Sequence, residues 1–123
     1  MRVYCTSNQR KQHMAGLTPS RLRSLIKDVN PVDACLNELA EVRLTLRRQL
    51  AREDFSYIQT REAIAYAQDL LSLLETAMGE EPALVHAQIG LLEASVLSNG
   101  LRLREAVHTA HSCLIWLLKS RQV

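Results

Sequence analysis

Apolar residues recur along most of this chain at steps of three and four, the spacing that lines one side of a helix. The first such run is Leu22, Leu25, Ile26 and Val29, preceded by Thr18-Pro19, where Thr caps free amides and Pro at the first helical position loses no hydrogen bond. It predicts a short helix over 19–29. Asn30-Pro31 repeats the entry signal, with Asp33 at the positive end of the next helix dipole. In that second helix Val32, Cys35, Leu39, Val42 and Leu46 form a coiled-coil-like seam, widened by Leu36 and Leu50.

The seam loses register around residues 52–56. Asp54 or Ser56 can cap a new helix there, but no Gly or Pro forces a break, so a turn and one continuous helix both fit the pattern. The third segment places Tyr57, Ile64, Leu71 and Met78 seven apart, with Ala67 and Leu74 between them and Leu70 and Leu73 broadening the stripe. Gly79 ends it, and Glu80-Glu81-Pro82 starts the next. Over 83–98 the helix is apolar on more than one side: Val85, Ile89, Leu92 and Val96 form one stripe, flanked by Leu84, Leu91 and Leu97. A helix apolar on several sides is either central or at a subunit interface. Asn99-Gly100 reads as a left-handed stop. A fifth helix over about 102–120 turns Leu103, Val107, Ala110, Leu114 and Leu117 inward, with Lys119 and Arg121 at its negative end.

The expected fold is therefore all-α: a four- to five-helix bundle whose short turns make neighbours mostly antiparallel. Residues 17–123 form one helical domain. Residues 1–16, polar and without period, form a mobile basic arm, and Met14 is a second plausible start. Leucine dominates the apolar 47%, against one Phe, one Trp and three Tyr, which supports helices over sheets.

Charge adds one asymmetry. Residues 1–27 carry Arg2, Arg10, Lys11, Arg21, Arg23 and Lys27 without an acid, whereas the remainder has 9 basic and 13 acidic residues. Three scattered cysteines, Cys5, Cys35 and Cys113, do not make a disulfide framework and point to a reducing, cytoplasmic compartment. No run approaches the length of a membrane span, so no membrane is expected.

Candidate chemistry is sparse. Glu105, His108 and His111 share a face at steps of three, and Glu93 and His86 lie on the neighbouring helix. A single Glu-x-x-His is half of the set that bundle di-iron sites use, and Cys113 points away from His111; no metal and no cofactor are expected. No Cys, His and acid form a local nucleophile signature, and Gly16, Gly79, Gly90 and Gly100 are isolated, so no phosphate loop and no catalytic residue is assigned.

Two interaction features remain. The leucine-rich faces of the second to fourth helices exceed what one small bundle requires. They imply a non-enzymatic, homodimeric regulator that occludes a partner protein, with Leu39, Val42, Leu46, Ile64, Leu71 and Leu74 as core or anchors. Helical antiactivators of transcription factors and secretion chaperones are similar in build, though no motif is shared. The alternative is a nucleic-acid-binding regulator that uses the basic arm and an arginine stripe at Arg43, Arg47, Arg48 and Arg52.

Overall fold

A computed structural model describes residues 31–121, which hold four α-helices and no strand. We number them α1 (Pro31–Arg52), α2 (Tyr57–Met78), α3 (Pro82–Asn99) and α4 (Leu103–Ser120). They correspond to the second to fifth predicted helices. The predicted basic arm and the helix over 19–29 lie outside the described residues.

Each helix packs on its sequence neighbours and α4 closes on α1, so the chain runs up, down, up and down around one core. Contacts between helix ends fix the antiparallel sense: Glu53, after α1, pairs with Arg104 at the start of α4, and Glu81, before α3, pairs with Arg121 at the end of α4, 3.1 Å away. The core takes Cys35, Leu39, Val42 and Leu46 from α1, and Ile64, Leu70, Leu71 and Leu74 from α2. Leu84 and Leu91 of α3 and Val107, Leu114 and Leu117 of α4 complete it. Alanines fill the close approaches: Ala63 and Ala67, Ala87 and Ala94, Ala106 and Ala110 are all fully buried.

The ambiguous stretch at 52–56 is a turn. Glu53 adopts φ 51°, the amide of Asp54 donates to the carbonyl of Gln49 at 3.3 Å, and Ser56 caps α2 by accepting from the amide of Gln59 at 3.2 Å. A left-handed glutamate is unfavourable in isolation. Here α4 holds it, through the Glu53–Arg104 pair and the Arg104 guanidinium lying 5.6 Å over the Phe55 ring, and Phe55 packs on the core. The continuous helix is therefore excluded by contacts made 50 residues downstream.

The α3–α4 turn corrects the expectation of a left-handed stop at Asn99-Gly100. Gly100 has φ −86°, an ordinary value, and the left-handed residue is Leu101, φ 64°. The amide of Arg102 donates to the carbonyl of Leu97 and that of Leu101 to the carbonyl of Ser98, both at 2.9 Å. That is the Schellman arrangement, with Leu101 at the position where glycine is favoured. Gly79 does stand in the left-handed region, φ 82°, and its amide closes α2 on the carbonyl of Glu75.

Candidate interaction surface

The sequence places apolar residues on more than one side of α3, and the fold decides which side goes in. Leu84, Ala87, Leu91, Ala94 and Ser98 are buried. The stripe of Val85, Ile89, Leu92 and Val96 faces out: Ile89 and Leu92 are each 61% exposed, Val96 is 70% exposed, and Val85 is half-buried. At 3.6 residues per turn these four lie within about 60° of one another, opposite the buried row. The choice of side has a packing cause. The buried row is small at Ala87, Ala94 and Ser98, which lets α3 approach α2 and α4 closely, and the stripe of Val85, Ile89, Leu92 and Val96 is bulky throughout.

Gly90 shows how close that approach is. A Cβ built on it would lie 2.8 Å from the Cβ of Cys113 and 3.0 Å from its Sγ. The exposed stripe is bordered on the α4 side by His86 and Glu93 and on the α2 side by Gln88 and Ser95. Gln88 donates to Glu75 at 3.3 Å. His86 stacks at a tilt of 49° on Trp116 of α4, ring centroids 4.5 Å apart, and Trp116 itself is 48% exposed. A shallow groove of about 440 Å³ runs here between α3 and α4, with His108 and Cys113 on its far wall.

The six side chains predicted as core or anchors, Leu39, Val42, Leu46, Ile64, Leu71 and Leu74, are all buried inside the bundle. Of the two roles, core or anchor, they fill the first: they pack in the core of the bundle. The four arginines do not make one stripe either. Arg43 and Arg47 turn toward His111 of α4, while Arg48 and Arg52 are exposed on a different side of α1, because residues one apart on a helix diverge by about 100°. His111 is pushed below the ordinary imidazole range, first by burial and then by Arg43, Arg47 and His108.

The remaining polar candidates are similarly divided. His111 faces α1 and Cys113 faces α3, Glu105 is tied to Arg102 at 2.6 Å, and among the described residues no three His, Cys, Asp or Glu side chains converge as a metal set would. Burial raises the Cys113 thiol to about 11, and its Sγ donates to the carbonyl of Ala110 at 3.3 Å. A thiol kept protonated is a poor nucleophile. Burial, followed by Glu38, also raises Cys35.

Two polar contacts inside the bundle are absent from the sequence reading. The Tyr66 hydroxyl donates to Glu38 at 2.6 Å, and the Thr60 hydroxyl donates to Gln49 at 3.1 Å. Both join α1 to α2. The spacing of Gln49 from Leu46 and Val42, three and seven, places it on the buried seam and was the available signal.

No helix of the described residues is long and apolar enough to cross a membrane. No family model matches the chain, and neither does any curated protein or solved structure.

Proposed function

We propose that this chain is a non-enzymatic, cytoplasmic interaction protein that regulates another protein by covering an amphipathic helix with the outer face of α3. One observation carries the reading: Ile89, Leu92 and Val96 form an exposed aliphatic row on a helix whose opposite side already fills the core. Monomeric domains scatter exposed apolar residues singly, whereas a contiguous row at helical spacing is the shape that an amphipathic helix recognises through its own anchors. Trp116 at the edge adds an aromatic of the kind that dominates binding energy in such contacts. The bundle core is complete without this row, so the row is available to a partner while the fold stays intact.

Immobilised full-length chain tests the reading. Partners retained by the wild type should be lost from Leu92→Glu, retained by Arg48→Glu, and insensitive to moderate salt. Binding that instead collapses with salt and with Arg48→Glu, and is reproduced by purified duplex nucleic acid, refutes it in favour of the nucleic-acid alternative.

A further inference from the structure

The exposed row of α3 has an internal symmetry that an arbitrary docking face would lack. Its members are Val85, Ile89, Leu92 and Val96, so the spacings are four, three and four, and the residues read valine, large aliphatic, large aliphatic, valine in either direction. We infer that the face also pairs with a second copy of this chain, through an antiparallel α3–α3 contact whose two-fold axis passes between the levels of Gly90 and Leu91.

In that register Val85 lies level with the partner's Val96 and Ile89 with the partner's Leu92, so every apolar level meets an apolar level. Spacings of four and three are those of a two-helix seam, and an isologous contact requires a self-complementary surface. The borders agree. A two-fold of this kind brings like borders together, so the α4-side borders meet and set His86 beside the partner's Glu93. The α2-side borders meet likewise and set Gln88 beside the partner's Ser95. No like charges are forced together along the seam, since Glu93 is the one formally charged side chain among these eight positions and its counterpart is offset by about 7.5 Å of rise, roughly one and a half turns. A parallel pairing would set the α4-side border of each copy against the α2-side border of the other, so His86 would lose the partner's Glu93, and it would leave Ile89 and Leu92 each facing its own kind. Trp116, stacked on His86, stands at the edge of the antiparallel seam and extends it beyond α3.

The inference rests on the same face that carries the proposed function, and it gives that function a regulation: self-paired chains hide the face, and a partner helix competes with the second copy. Occupancy then depends on concentration, with dimers as the resting form.

Three measurements on the full chain test it. Sedimentation equilibrium should give twice the 13.9 kDa chain mass at high micromolar concentration, dissociating on dilution. Leu92→Glu should raise the dimer dissociation constant at least about a hundredfold, because each dimer loses two central anchors. Its helical circular dichroism and unfolding midpoint should match the wild type, while Arg48→Glu leaves the dimer intact. For the register, Val85→Cys and Val96→Cys chains, each in a Cys5→Ser background, are oxidised alone and mixed: the mixture should give a disulfide-linked pair and neither variant alone should. A wild type that stays monomeric, a dimer that survives Leu92→Glu, or self-linking of Val96→Cys overturns the inference. If partner capture remains sensitive to Leu92→Glu in any of those cases, the proposed function stands without it; if capture is insensitive as well, both fall.

Discussion

Replacing Gly90 by alanine separates propensity from packing. Glycine in a helix interior costs about 1 kcal/mol relative to alanine, so on propensity alone Gly90→Ala stabilises α3 by that amount. The structure predicts the opposite sign. The new methyl would stand 2.8 Å from the Cβ of Cys113, well inside the ~3.5–4.0 Å optimum for two carbons, and 3.0 Å from its Sγ. The nearer atom is a Cβ, fixed by the α4 backbone, so no rotamer change relieves the contact and α3 and α4 must separate. Overpacking of this kind costs typically about 1–3 kcal/mol, and with the obstacle on the backbone the upper half of that range applies. Subtracting the propensity gain leaves a net loss of roughly 1–2 kcal/mol. Urea unfolding should show the midpoint falling by roughly 0.5–1 M. In a Cys113→Gly background the obstacle is gone, and the same Gly90→Ala change should raise the midpoint instead. A wild-type-background Gly90→Ala protein at least as stable as its parent, or an equal effect in both backgrounds, would refute the close approach of α3 to α4.

The other predictions concern the turn, the buried polar pair and the titrating groups. Leu101→Gly places glycine at the left-handed position and should stabilise the fold by about 1 kcal/mol in urea unfolding, since the leucine it removes is 68% exposed and φ 64° strains any β-carbon. Thr60→Val removes the donor to Gln49, whose Nε2 is already buried without a partner, and should cost about 1–3 kcal/mol; the double variant with Gln49→Leu should recover most of that loss. His111 is held neutral in the fold by burial, Arg43, Arg47 and His108, so its contribution to stability is complete above the unfolded value of about 6.5 and is lost as pH falls through the lower folded value. His111→Gln should therefore flatten the acid limb of a stability–pH curve below about pH 6.5. Cys113 works in the other direction: raised to about 11, it stabilises the fold below the unfolded thiol value and that contribution is lost as pH climbs toward 11, so alkylation by iodoacetamide at pH 8 should track global unfolding.

The sequence alone determined the helices, their order and most of the core. Periodicity is a local property, and the caps at Ser56, Gly79 and Pro82 are chemical signals that act within one turn. Seams with a single apolar side, such as Cys35, Leu39, Val42 and Leu46 in α1, also fixed which way they face, because burying any other side would bury charge. In α3 that logic gives no answer. Both sides are apolar, so hydrophobicity cannot rank them, and steric fit decides: Ala87, Gly90 and Ala94 admit neighbouring backbones where Ile89, Leu92 and Val96 cannot. The same holds for the turns at Glu53 and Leu101, whose left-handed backbones have no local cause, and for the arginines, which a linear reading joins and the helix separates. The candidate surface was thus present in the sequence as a row of residues, and only tertiary packing, by filling the core with the smaller side of α3, turned that row outward.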